Sequence, residues 1–187
     1  MATTAAYVTA EELLAAYSED ARVEVVDGVV VPMSPTNSWH GWVTSELFSS
    51  VTAYVRAHRL GRAFTEGTGF VLARAPDVLR APDAAVITAA RLPPPPRDAF
   101  WELAPDLAAE VLSPSETASD VARKVDEYLR YGVRLVWVVD PATRTVTVYT
   151  PAAAPRRLAA AATLDGGDVL PGFSLPLADL FAGLPDG

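Results

Sequence analysis

The sequence predicts an α/β or α+β protein, a β-sheet flanked by helices, and three observations carry that reading. Asp27-Gly28 stands between two β-branched runs, the pair of residues that closes a two-residue hairpin turn. Residues 133–139 are almost uniformly apolar, as in a central strand buried on both faces. Between that strand and another at 106–112 lies a segment of helical periodicity, 119–131, so strand, helix and strand follow in order.

The remaining elements fall around these. Thr9-Ala-Glu-Glu12 has the form of a capping box and opens a short helix through about Tyr17. Residues 22–33 form the hairpin. Thr36-Asn-Ser38 can cap a helix over 41–58, whose apolar face is Val43, Leu47, Val51, Tyr54 and Val55 and which Gly61 ends. Strands are expected at 62–64, 69–73 and 84–87. Four consecutive prolines at 93–96 exclude helix and central strand, and read as a surface loop within the domain. After the helix at 119–131, Gly132 is placed as its C-terminal cap. Residues 140–143 turn the chain into an alternating strand at 144–150. The C-terminal part, with Gly166-Gly167 and residues 170–181, reads as a final strand or two and a short closing helix.

Composition bounds the function. A chain of 187 residues is expected to form one domain, 1–187, with an ordered core over about 9–181. It has no cysteine, so no disulfide framework and no thiolate metal site. No apolar run approaches the length of a membrane span, and the first residues do not read as a signal peptide, so the expected location is cytoplasmic. The net charge of −8 argues against coating nucleic acid by bulk attraction. A carboxylate site can still dock phosphates when divalent ions supply the positive charge. Arg56, Arg59 and Arg62 form one local group of cations, and Arg123, Arg130 and Arg134 another.

Fourteen arginines accompany a single lysine, Lys124. Val121, Val125, Tyr128 and Leu129 define the inward face of its helix, and Lys124 falls within that stripe. Arg123, Asp126, Glu127 and Arg130 are expected to point elsewhere. An inward lysine needs an anionic partner or a chemical task. Asp120, four residues earlier, offers an ordinary helical ion pair. Glu110 offers another: it lies on the strand face opposite Leu107, Ala109 and Val111, between Ala108 and Leu112, where a lone carboxylate would be costly. Pro82-Asp83 adds a second carboxylate at the start of a neighbouring strand.

Two carboxylates and a lysine on adjacent elements suit phosphodiester hydrolysis. Carboxylates hold a hard divalent cation such as magnesium. The cation polarises the phosphoryl group and lowers the pKa of water, while a lysine stabilises developing charge. A buried Glu–Lys pair with a structural role accounts for the same pattern.

The order Arg22-Val-Glu24-Val-Val-Asp-Gly28, Ser34-Pro35, His40, Pro82-Asp83, Glu110-Val-Leu-Ser-Pro-Ser115, Lys124 and Tyr128, followed by the strand to Asp140, resembles the Uma-two-type "putative restriction endonucleases", a branch of the PD-(D/E)XK nuclease superfamily. The resemblance runs from about Thr9 to Phe181. It implies a restriction-endonuclease-like fold with a mixed central sheet and helices on both sides. It also implies that Asp83, Glu110 and the backbone carbonyl of Val111 bind the metal and that Lys124 is catalytic. In that superfamily the lysine normally lies two residues after the acid, a place held here by Leu112; in this branch it has moved onto the following helix. The implied activity is magnesium-dependent hydrolysis of DNA, with manganese as a substitute, by a homodimer.

The resemblance also favours Glu24 as a further catalytic residue, a metal or water ligand. His40 matches a family histidine, although alone it reads as a cap or surface residue. Tyr128 can orient the lysine or simply fill the core. Glu66 can approach the site from a neighbouring strand. His58 is accounted for by the helix dipole and Trp137 by the core. The rival to the enzyme is an inactive module of the same fold binding nucleic acid or a protein; a third reading applies the same chemistry to RNA or a smaller phosphodiester.

Overall fold

The computed structural model describes residues 7–16, 23–33 and 36–185. Tyr17, Arg22 and the Ser34-Pro35 pair lie outside the described residues, as does the extreme N-terminus. Helix α1 (Ala10–Ala16) leads to a hairpin of β1 (Val23–Val26) and β2 (Val29–Pro32). Asp27 and Gly28 close it with φ of 49° and 76°, the left-handed pair that the Asp-Gly signal requires. The long helix α2 (Ser38–Ala57) follows, then β3 (Gly61–Thr65), β4 (Phe70–Ala73), β5 (Val78–Arg80) and β6 (Ala84–Thr88). The chain continues through β7 (Leu107–Val111), α3 (Ala118–Arg130), β8 (Leu135–Asp140) and β9 (Thr145–Thr150). It ends with β10 (Ala153–Leu158), β11 (Thr163–Gly166), β12 (Leu170–Pro176) and α4 (Leu177–Leu180).

The central sheet is mixed and six-stranded, in the order β10-β9-β8-β7-β6-β3. Only β7 and β8 run parallel, joined by α3; the other pairs are antiparallel. β8 is buried throughout except at Asp140, because its two faces meet two cores. Leu135, Trp137 and Val139 pack with Val43, Leu47, Val51 and Val55 of α2. Val136 and Val138 pack with Val125 and Tyr128 of α3. Helices therefore cover both faces. A second sheet, β2-β1-β5-β4, carries α1, and β11 pairs with β12.

Several boundaries differ from the sequence reading for physical reasons. α2 begins at Ser38, because the Asn37 side chain accepts the His40 N–H at 2.9 Å and caps it. Gly61 does not end that helix: His58 is the cap and Arg59 takes the left-handed conformation, φ 53°. Gly61 instead opens β3 at φ 143°, where a Cβ would stand 2.1 Å from the Ile87 carbonyl oxygen. In α3, Thr117 and Asp120 form a capping box, so Asp120 is committed to the helix start and to Arg123 rather than to Lys124. β5 and β10 lie where no strand was expected. β10 carries Pro155, which an edge strand tolerates.

Asp106 secures the far end of the sheet. Fully buried, it accepts from the Thr88 N–H and hydroxyl at 2.8 and 2.9 Å and pairs with Arg91 and Arg134. Burial alone would raise its pKa, but the hydrogen bonds from Thr88 and Arg91 outweigh burial and hold it below the ordinary carboxylate value. A depressed folded pKa contributes stability above the unfolded value and loses it as pH falls through the folded one. Asp106→Ala is expected to lower unfolding free energy by about 3 kcal/mol near neutral pH. In urea titrations its deficit against wild type should narrow between about pH 5 and pH 2; a pH-independent deficit would contradict this account.

Candidate active site

The candidate site lies where β6, β7, β5, β1 and α3 converge. β6 pairs with β7 so that Ala84 faces Ala109; one step further, Asp83 stands opposite Glu110. Asp83 Oδ2 accepts the backbone N–H of Val111 at 2.7 Å, so a carboxylate takes a place at the strand end that a backbone carbonyl would otherwise fill. The same oxygen is 3.3 Å from His40 Nε2, at the start of α2. Its other oxygen, Oδ1, makes no hydrogen bond among the described residues.

Glu110 points at α3, as the strand alternation predicts. Lys124 Nζ donates to its Oε2 at 2.8 Å and the Tyr128 hydroxyl donates to its Oε1 at 2.6 Å. Lys124 also donates to Glu116 Oε1 at 3.0 Å, and Glu116 Oε2 accepts the Ser113 N–H at 2.9 Å. Thus the loop between β7 and α3 closes around the ammonium, whose side chain is 16% exposed. The sequence reading brings Asp83, Glu110, Val111 and Lys124 together, and the structure does the same. Tyr128 contacts Glu110 rather than the lysine and is fully buried.

A second buried cluster adjoins the first. Glu24 turns inward from β1: its Oε2 accepts from Arg80 Nη1 at 2.6 Å and its Oε1 accepts the Ala81 N–H at 3.1 Å. Arg80, only 1% exposed, also donates through Nε to Glu127 Oε2 at 2.7 Å. Glu127 therefore does not point away from the helix's inner face, as its polarity suggested. It lies three residues from Lys124, near enough in helical angle to share the buried side. Arg80 and Glu116 have no place in the sequence reading, and Glu127 is placed there on the outer face. For Glu127 a signal existed in the 124/127/128 spacing; Arg80 sits in a three-residue strand with no alternation to expose it.

Electrostatics follow from this geometry. Burial raises the Glu110 pKa; Lys124 opposes the rise, while the charges of Asp83 and Glu24 reinforce it. Burial would lower the Lys124 pKa, but the charges of Glu110, Glu24 and Glu116 override it and keep the ammonium protonated. Burial raises the Tyr128 phenol and Glu110 and Glu24 raise it further, so the hydroxyl remains a donor. His40 would be lowered by burial, but its hydrogen bond to Asp83 and that carboxylate's charge raise it.

A hollow of about 260 Å³ opens on these groups, lined by Glu24, His40, Asp83, Glu110, Val111 and Lys124 among others. Its lining includes the carboxylates of Asp83 and Glu110, oxygen ligands of the kind a hard divalent cation prefers. No three acidic or histidine side chains among the described residues form a ready cluster. Two carboxylates with open positions left over suit magnesium, which keeps waters and takes phosphate oxygens rather than entering an all-protein cage. The repulsion that burial imposes among Glu110, Asp83 and Glu24 is what such a cation would relieve. Glu66 lines an adjoining hollow with Thr36 and Thr65 rather than this one. His58 stacks on Tyr54 at 4.2 Å, and Trp137 is core.

A mixed sheet covered by helices on both faces is a restriction-endonuclease-like fold, and here it sets two carboxylates at neighbouring strand ends beside a lysine on α3. The sequence model of the Uma2 family, "Putative restriction endonuclease", matches residues 10–178, and the chain belongs to that family. A similar solved structure is described as "a putative nuclease belonging to DUF820 from Anabaena variabilis ATCC 29413". It superposes with a TM-score of 0.80 over 93% of this chain and 97% of its own, at 24% identity, a likeness that carries the fold. No curated protein matches the chain. Among the described residues no helix is long and apolar enough to cross a membrane.

Removing Arg80 would leave Glu24 and Glu127 buried without their cation. Arg80→Met is expected to cost about 3–5 kcal/mol in urea unfolding. Adding Glu24→Gln and Glu127→Gln should restore much of it, because neutral amides carry no stranded charge. A single-variant loss below about 1 kcal/mol would show that the cluster carries little stability.

Proposed function

We propose that the protein is a metal-dependent endonuclease that hydrolyses DNA phosphodiester bonds in the hollow between β6, β7 and α3. One observation supports this above the others: Lys124, displaced onto the helix, returns its ammonium to Glu110 beside Asp83. Under this reading Asp83, Glu110 and the Val111 carbonyl hold magnesium, or manganese in its place. When bound, the ion polarises the phosphoryl group and lowers the pKa of water.

The chain's own residues supply the rest. Lys124 acts as a permanent cation, not as a base, since the surrounding carboxylates keep it protonated. It orients the attacking water and stabilises the negative charge that gathers on phosphorus oxygens. Tyr128 and Lys124 fix the two oxygens of Glu110; His40 and the Val111 N–H fix Asp83. Glu24 is held by the Arg80 guanidinium and the Ala81 N–H, so its part is to fix Arg80 and add negative charge beside Glu110. Membership of the Uma2 family supports nucleic acid as the substrate class; DNA and the metal are the finer parts of the proposal.

Supercoiled plasmid and single-stranded DNA, incubated with magnesium, manganese or chelator, should be cut only with metal. Lys124→Ala should slow cutting by about 10²–10³-fold, with calorimetric manganese binding largely retained. Asp83→Ala should weaken that binding. Unchanged cutting by Lys124→Ala would remove the lysine from the mechanism, and cleavage of RNA alone would correct the substrate.

A further inference from the structure

A hollow larger than the candidate active site lies elsewhere on the protein. It has a volume of about 680 Å³ and lies where α2 ends and β3 begins, lined by Arg56, Arg59 and Arg62 with Phe48 and Leu92. In a chain of net charge −8 with 23 acidic residues, three exposed guanidinium groups gather on one cleft. None of the three pairs with a carboxylate among the described residues. Eight other arginines do, Arg80, Arg91 and Arg156 among them. Arg56, in the last turn of α2, is accounted for by the helix dipole. Arg59 and Arg62 are not.

Arg59 is the sharper case. It follows the helix cap at φ 53°, a place where glycine is favoured and a long side chain is strained. Keeping arginine there sacrifices stability and sets a third cation at the cleft. Arg62 stands on β3, the edge strand of the central sheet, opposite Ile87 at the far end of β6 from Asp83.

The cleft is connected to the candidate site. Phe48 also lines the hollow of Thr36, Gly41 and Thr65, and Thr36 in turn lines the hollow of Asp83 and Lys124. This chain of hollows runs along one flank of α2, from His40 at its start to Arg56 at its end. Sixteen helical steps of 1.5 Å make that path about 24 Å, or about seven nucleotides at 3.4 Å each.

We propose that Arg56, Arg59 and Arg62 bind the phosphate backbone of a nucleic acid that extends from the candidate site along α2. The inference rests on the nuclease reading only for where the other end of that nucleic acid lies. Phosphate contacts of this kind position a substrate without reading its sequence, and each one neutralised by arginine steepens the salt dependence of binding.

Fluorescence anisotropy of a labelled 30-base-pair DNA duplex in calcium, across 50–200 mM KCl, tests it. Arg56→Ala/Arg59→Ala/Arg62→Ala should weaken binding about tenfold or more at the lowest salt and flatten the log–log salt slope by about 2–3. Wild type should lose most of this advantage on a six-base-pair duplex, too short to span both sites. Arg59→Gly should raise the thermal midpoint while weakening duplex binding, a pairing that a merely unfolded variant cannot give. An unchanged slope in the folded triple variant overturns the inference, as does wild type that binds no duplex. So does a loss of binding that follows a change in oligomeric state measured by light scattering. Arginine-dependent binding without cleavage would sink the nuclease reading and leave this one standing; cleavage with an unchanged slope would do the reverse.

Discussion

A carboxylate taken out of water against an apolar helix costs several kcal/mol unless its charge is met. Glu110 is such a carboxylate, and much of the molecule is arranged around meeting it. The one lysine of the chain reaches it from α3, and the Tyr128 hydroxyl holds its second oxygen. Because α3 must turn its inner face to β7 for these bonds to form, they fix the helix on the sheet along with Val125 and the apolar ring of Tyr128. The β7–α3 loop is drawn in as well, through Glu116 and the Ser113 N–H. A structural ion pair would end there. This one adjoins Asp83 and opens on a hollow, with burial pushing the Glu110 carboxyl toward its neutral form.

The adjoining Arg80 cluster extends the same logic to the second sheet. Arg80 draws β1 and α3 together through Glu24 and Glu127, so the second sheet and α3 meet at buried charges. Such clusters gain little net stability over an apolar core but suffer greatly when one member is lost. Their placement around one hollow is better explained by rigidity than by stability: each catalytic candidate has its orientation set by a neighbour with few alternatives. Arg59 shows the same trade on the far side of α2, where a strained backbone holds a cation at the surface.

Much of this was legible because periodicity is a physical signal. The Asp27-Gly28 turn, the two-faced burial of β8 and the inward set of Lys124 follow from pleat, turn geometry and helical repeat, and each is present. The family order of Asp83, Glu110 and Lys124 then named the partners. What escaped notice had no periodic signature or was masked by polarity. β10 is rich in alanine and contains proline; it becomes a strand by pairing with β9, not by propensity. His40 extends the buried stripe of Val43 and Leu47 by one turn, yet a histidine near a helix start reads as a cap. Glu127 was turned outward by the assumption that a buried helix face excludes acids, which fails when an arginine waits across the interface.

The account stands or falls on whether Glu110 serves a metal or only its lysine. Electron paramagnetic resonance of manganese titrated into wild type and into Glu110→Gln decides between them, since the amide preserves shape, its one carbonyl oxygen can still accept from Lys124, and its NH2 can donate to the Tyr128 hydroxyl. The account predicts one bound manganese per wild-type chain and a much weakened site in the variant. Equal binding by the two proteins would contradict it and return Glu110 and Lys124 to a structural pair.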